Sequence, residues 1–232
     1  MPGESFSHEP QPKQQITHWD IPDVSEVPII HPEPGTGETV EQQAFPEQPR
    51  LVGNRMSELE FHKLLNVLEQ KAEPIEQLTT EGIVVHLDPD TRTAAMPPEL
   101  KDMAESLLPI FAVELEAGTR KLVIKKLTPG SSAQPIHADF GDHEKRLYLV
   151  SNKEGQTTNI VNQPSVYRDE AGNRIDHSNR VGWAAAEAPP LPLQPGDIWS
   201  PPALTFVQIY GDTLHARPEV DPDRRAIEVV PV

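Results

Sequence analysis

The sequence predicts a mainly β fold with flanking helices, namely a small antiparallel barrel or sandwich with helices packed on its outside. Three observations lead there. Two segments between residues 57 and 118 place apolar residues at helical spacing, the chain after Gly118 breaks into short β-type runs, and clusters of turn residues separate those runs.

In chain order, residues 1–55 come first. They are rich in Pro, Glu and Gln, show no sustained period, and hold only short apolar islands such as Trp19 and Val27-Pro28-Ile29-Ile30. This composition predicts a solvated acidic arm; the alternative is an extended strap or lid lying on the domain or on a partner. His18-Trp19-Asp20 reads as a surface motif or, in that alternative, as a strap contact. Ser57 and Glu60 have capping-box spacing, and Phe61, Leu64, Leu65 and Leu68 recur at helical spacing until Pro74 stops the pattern. Residues 82–87, an apolar run ending before Asp88-Pro89, read as a strand. A second helix opens at Pro97-Pro98-Glu99, aligns Leu100, Met103, Leu107, Leu108 and Phe111 on one stripe, and closes near Gly118. Beyond it, residues 121–127, 146–150, 157–162, 198–200, 205–210 and 224–230 read as strands, separated by turn chemistry such as TPGSS, NKEGQ and LQPGD. Residues 167–192 are too long and polar for a hairpin and read as an excursion near the barrel mouth. The predicted organisation is an arm over residues 1–55 and one domain over 56–232, with its helices in 56–118.

Composition narrows the chemistry. The 232 residues include no cysteine, so disulfides, thiol nucleophiles and Cys-held metals are excluded, and any metal must be held by His, Asp and Glu. Asp and Glu number 36 against 20 Lys and Arg, for a formal net charge of −16, which repels phosphate backbones and argues against a nucleic-acid partner. The first residues lack the basic start and apolar stretch of a secretion signal, and no apolar run reaches membrane-spanning length. The expectation is a soluble, cytoplasmic protein with no membrane partner. No nucleophile elbow, phosphate-cradling glycine loop or H-E-x-x-H helix occurs.

The chemistry is carried by a spaced constellation. In His137-Ala138-Asp139, residues i and i+2 of an extended edge project to one side, so an imidazole and a carboxylate can converge on one cation. The segment Gly211-Asp212-Thr213-Leu214-His215 follows an apolar strand and delivers a second imidazole. Two imidazoles and one carboxylate on one face of an octahedron leave three adjacent positions open, the facial arrangement of non-haem Fe(II) oxygenases. An arginine on the neighbouring strand, at Arg224 or Arg225, can grip the carboxylate of a bidentate cosubstrate by charge-assisted hydrogen bonds. His143 and His177 compete for the ligand places, while His62 and His86 read as scaffold.

The order H-x-D, a Pro195-Gly196-Asp197 turn, G-D-x-L-H at 211–215 and R-R-A-I from Arg224 resembles the Fe(II)- and 2-oxoglutarate-dependent dioxygenases, in particular their compact prolyl-hydroxylase-like group. The resemblance covers roughly residues 97–232. It implies a double-stranded β-helix, also called a jelly roll or cupin-like barrel, with supporting helices N-terminal to it. It also implies iron ligands at His137, Asp139 and His215. Arg224 takes the distal carboxylate of 2-oxoglutarate, with Arg225 as competitor. Strand alternation groups Arg224 with the small Ala226 and Arg225 with Ile227 and Val229, which favours Arg224. Tyr148, Thr157 and Asn159 are candidates for the other end of the cosubstrate.

The activity so implied is hydroxylation of a C–H bond by O2, one oxygen atom entering the product and the other the succinate that forms, with CO2, from 2-oxoglutarate. The intact Asp139 argues against halogenation, which in this superfamily goes with a small residue there. The substrate expected is a small molecule, amino acid or peptide, and the negative surface biases it toward cationic ones. Two alternatives stand beside this reading: a cupin-like metalloprotein that uses no 2-oxoglutarate, and a non-catalytic interaction protein whose acidic arm recruits a partner.

Overall fold

The computed structural model describes residues 16–22, 29–30, 49–75, 80–127, 134–139, 144–153, 159–161, 198–211, 213–217 and 223–232. The excursion expected at 167–192, together with Thr157, His143, His177 and Pro195-Gly196-Asp197, lies outside them. Three short strands precede the first helix: β1 (Thr17–Asp20), β2 (Ile29–Ile30) and β3 (Arg50–Val52). Helix α1 (Glu58–Lys71) is followed by β4 (Glu73–Ile75), β5 (Thr80–Asp88) and β6 (Thr93–Met96). A 3-10 helix (Pro98–Met103) leads into α2 (Ala104–Glu116). Then come β7 (Lys121–Leu127), β8 (Gln134–His137), β9 (Arg146–Ser151), β10 (Asn159–Val161), β11 (Ile198–Trp199), β12 (Phe206–Tyr210), β13 (His215–Arg217) and β14 (Ala226–Pro231).

The strands after α2 pass between two antiparallel sheets. Among the described residues the larger sheet has the order β1-β6-β5-β7-β14-β9-β12-β3-β2, with β4 pairing on β5, and the smaller has the order β11-β10-β13-β8. The eight strands β7 to β14 thus place β7, β14, β9 and β12 side by side in one sheet and β8, β13, β10 and β11 in the other, the topology of a double-stranded β-helix.

Each face of the larger sheet buries a different apolar set. Leu122, Ile124, Tyr148, Val150, Phe206, Ile227 and Val229 pack with Phe61, Leu64, Leu68, Leu107 and Phe111 of the helices. The alternate residues Leu147, Leu149, Val207, Ile209, Leu51, Leu127 and Val230 meet Trp199 of the smaller sheet and form the barrel lumen. Period-two alternation therefore sorts the same strands into a helix-facing core and a lumen.

The first helix forms where the capping box places it. The Glu60 amide donates to the Ser57 hydroxyl at 3.2 Å, and the Ser57 amide donates to the Glu60 carboxylate at 2.7 Å. The Ser57 hydroxyl also donates to the Glu60 carboxylate at 2.6 Å, and this bond first, then that of the Ser57 amide, holds the Glu60 carboxyl below its usual range. The helix ends at Lys71 because Pro74 biases the residue before it to extended backbone, and Glu73–Ile75 then pairs with β5. Gly82 of β5 is needed there, since a Cβ would lie 2.8 Å from the Ile124 carbonyl oxygen of β7. The single helix expected from Pro97 to Gly118 is instead a 3-10 turn followed by α2. The stripe holds nonetheless, with Leu100, Met103, Leu107 and Phe111 fully buried.

The solvated-arm expectation fails for three pieces of residues 1–55. β1 pairs with β6, and Trp19 on it is 7% exposed, so Trp19 is a core residue and not part of a surface motif. The Ile21 amide donates to the Arg92 carbonyl at 2.8 Å, and Arg92 donates to the Pro22 carbonyl at 2.8 Å. At the other sheet edge β3 pairs with β12 and β2 with β3. Gly53, at φ +75°, lets the chain pass so close to α2 that a Cβ there would meet the Pro109 ring at 3.0 Å. These strands are too short for alternation to show in the sequence.

Between α2 and the larger sheet lies one buried carboxylate. Glu114 is fully buried and accepts from Arg146 Nε at 2.8 Å, from Arg146 Nη2 at 3.2 Å, and from the Tyr148 and Thr119 hydroxyls. Burial, reinforced by the Glu114 charge and hydrogen bond, pushes the Tyr148 hydroxyl well above the usual phenol range and keeps it a donor. Removing one partner of a buried ion pair strands the other, at a cost of about 3–5 kcal/mol. Glu114→Ala is therefore expected to lose about that much unfolding free energy in urea, and Tyr148→Phe about 1 kcal/mol.

Candidate metal centre

β8 and β13 are adjacent strands of the smaller sheet, and in their register His137 stands directly opposite His215. Directly opposed residues bring their side chains together, and the two imidazole centroids are 4.5 Å apart. The chain then bends, so that Asp139 returns to the same side. One carboxylate oxygen lies 3.5 Å from His137 Nε2 and the other 3.5 Å from His215 Nε2. One potential ligand atom from each residue falls within 4.8 Å of the other two. Both imidazoles are buried, at 7% exposure each, while 38% of the Asp139 side chain is exposed.

Further contacts set the chemistry of these groups. His215 Nδ1 is 2.9 Å from the Thr213 carbonyl, which can only accept, so Nδ1 carries a proton and Nε2 is the nitrogen that faces Asp139. Thr213 is fixed in turn, its hydroxyl accepting from the Tyr210 amide at 2.9 Å. Burial pushes the Asp139 carboxyl up, but the hydrogen bonds and charges of His137 and His215 outweigh it and hold the group well below the usual carboxylate range. Two imidazoles and a persistent carboxylate form a donor set that fits a borderline divalent metal. His137, Asp139 and His215, read from the sequence as one constellation, are thus brought together.

The two arginines part company at the start of β14. The Arg225 amide donates to Asn152 Oδ1 at 2.7 Å, its Nη1 donates to the Arg224 carbonyl at 2.9 Å, and its charge acts on Glu69 of α1. Arg225 therefore belongs to the helix side with Ile227 and Val229. Arg224 shares parity with Ala226 and Glu228 on the lumen side and is 6% exposed.

Of the remaining candidates, Tyr148 is corrected. Its parity puts it on the helix face, bonded to Glu114, and a residue on that face cannot reach a ligand in the lumen. Asn159 lies on β10 opposite Ala216, one step from the Ile160–His215 pair. Thr213 and Asn152 were not legible as site residues. Thr213 acts through its backbone carbonyl, and Asn152 clamps the entry to β14, donating through Nδ2 to the Asp223 carbonyl at 3.1 Å. Among the described residues no helix is long and apolar enough to cross a membrane.

No protein-family profile matches the chain, and no curated protein matches it. Solved structures do show likeness. The non-heme α-ketoglutarate-dependent carbocyclase SnoK from nogalamycin biosynthesis aligns at 15% identity and TM-score 0.39, covering 79% of each chain. The non-heme α-ketoglutarate-dependent epimerase SnoN from the same biosynthesis gives 12% and 0.39, covering 80% of this chain and 79% of its own. EctD from S. alaskensis with bound Fe gives 12% and 0.38, covering 90% and 85%. Fold and site are assigned from the strand order and the three side chains, independently of these likenesses.

His215→Ala is expected to abolish stoichiometric Co(II) binding in an anaerobic titration while the far-UV circular dichroism stays unchanged. Thr213→Val, which removes the hydroxyl that fixes the 213 carbonyl, is expected to weaken Co(II) affinity about tenfold.

Proposed function

We propose that the protein is an Fe(II)- and 2-oxoglutarate-dependent oxygenase that hydroxylates a C–H bond of a small molecule, amino acid or peptide. The observation that carries the reading is the His137, Asp139 and His215 cluster, formed at the β8–β13 pair of a double-stranded β-helix. When bound, the metal and cosubstrate would activate O2, which supplies the oxidising power; the protein binds, orients and shields.

His137 and His215 offer imidazole nitrogens and Asp139 a carboxylate, three donors that leave the remaining coordination positions to exogenous ligands. Thr213 keeps His215 in the tautomer that binds. Arg224 is the residue assigned to the distal carboxylate of the cosubstrate, because a buried guanidinium on the lumen side is suited to forked hydrogen bonding with a carboxylate. Leu147, Leu149, Val207 and Ile209 line the lumen with apolar surface that keeps water away from the reacting centre. The negative charge of the chain biases the substrate toward cations.

An anaerobic titration with Fe(II) and then 2-oxoglutarate tests this reading through the visible metal-to-ligand charge-transfer band. The expected result is a band in wild type that is absent in His215→Ala. In Arg224→Ala the dissociation constant for 2-oxoglutarate is expected to rise by about tenfold to a hundredfold, while Arg225→Ala stays at the wild-type value. Absence of metal binding in the wild type overturns the proposal. Metal binding with no response to 2-oxoglutarate replaces it with the cupin-like reading.

A further inference from the structure

The barrel lumen holds an ion pair that the proposed function has not used. Glu228 of β14 and Lys125 of β7 stand directly opposite in register, and Lys125 Nζ lies 3.3 Å from Glu228 Oε1. Only 12% of the Glu228 side chain and 20% of the Lys125 side chain is exposed. Both residues share parity with lumen residues, Glu228 with Val230 and Lys125 with Leu127.

The pair also lies within electrostatic reach of the triad. Burial pushes the Glu228 carboxyl up and Lys125 pulls it down; Asp139 adds to the first effect and His215 to the second. Arg224 lies two residues before β14 and four before Glu228.

Stability does not explain such a pair. Withdrawing two charges from water into apolar surroundings costs about as much as their attraction returns, and apolar residues of equal size are often neutral or better at such positions. A charged pair on the sheet face that also carries Leu147, Leu149, Val207 and Ile209, and that feels the charges of Asp139 and His215, points to a charged occupant. Arg224 and Lys125 supply two positive charges against the two negative charges of Asp139 and Glu228. A divalent cation at the triad then leaves two positive charges to be neutralised, which suits a dicarboxylate dianion better than a zwitterion or a monocarboxylate.

Resting on the reading proposed above, we infer that Lys125 is a second cationic contact to the dicarboxylate cosubstrate, and that Glu228 is the positioning residue that holds its ammonium group in the lumen. Arg224 approaches the ligand from the start of β14 and Lys125 from the neighbouring β7. Together they make the site selective for a 2-oxo acid with two carboxylates over one with a single carboxylate.

The test compares wild type, Lys125→Met, and the exchanged pair Lys125→Glu/Glu228→Lys. The exchanged pair conserves total charge and pairing but moves the ammonium to β14. Each Fe(II)-loaded protein is titrated anaerobically with 2-oxoglutarate and, separately, with 2-oxobutyrate, and Fe(II) affinity is measured on its own. The expected result is a rise of about tenfold or more in the 2-oxoglutarate dissociation constant for both variants, with 2-oxobutyrate and Fe(II) affinities unchanged. Wild-type 2-oxoglutarate affinity in either variant, or equal losses for the two acids, overturns the inference. The exchanged pair keeps the test decisive should Lys125→Met fail to fold. A wild type that binds Fe(II) but neither acid removes the cosubstrate reading itself, an outcome distinct from unchanged variants.

Discussion

The register between β8 and β13 is the constraint on which the rest of the site depends. His137 and His215 meet because they are opposed across one antiparallel pair, and a slip of one residue would send one imidazole to the other face of the sheet. That pair is short and contains an irregularity between His215 and Arg217, so it cannot hold its register alone. It is held by its neighbours. β10 pairs on β13 and places Ile160 opposite His215, while the turn before β13 is fixed by the Tyr210 amide and the Thr213 hydroxyl.

The larger sheet supplies rigidity to this arrangement from its opposite face. Arg146 opens β9 and Tyr210 closes β12, and the two are register partners at the end of the sheet from which the ligand-bearing loops depart. Glu114 of α2 fixes Arg146 and Tyr148 from behind. Gln208, which accepts from Arg50 and donates to the Tyr210 hydroxyl, continues the polar contacts to β3. A helix layer that looks like a cover for apolar surface thus also anchors the strands that present the metal ligands.

How much of this was legible in the sequence follows from the physics of each signal. The capping box and the stripe from Phe61 to Leu68 are local, and they identified α1 closely. The triad was legible because H-x-D is a two-residue relation and because G-D-x-L-H follows an apolar strand. The separation of Arg225 from Arg224 was legible because side-chain parity is local too, and the contacts of Arg225 on the helix side agree with it. Tyr148 was misplaced because parity states which residues share a face and not which face is covered by helices. β1, β2, β3 and β13 escaped because runs of two to four residues carry no period, and Thr213 escaped because it acts through its backbone. The Lys125–Glu228 pair depends on the β7–β14 register, which joins residues about a hundred positions apart and leaves no mark in either segment by itself.

The covering of both sheet edges by segments that precede α1 has a consequence for the order in which the molecule is assembled. β3 pairs with β12, and Arg50 bonds Gln208 across 158 positions. During synthesis from the N-terminus, β1 acquires its partner β6 and β2 its partner β3 early, whereas β3 waits for β12 until almost the whole chain has been made. The helical layer with β5 and β6 is available first, and the metal-binding half closes last, when β12, β13 and β14 arrive in succession. Non-local pairing of this kind makes closure slow relative to helix formation. Until it is complete, the strand edges that β12 and β14 later cover stand open to pairing with other chains.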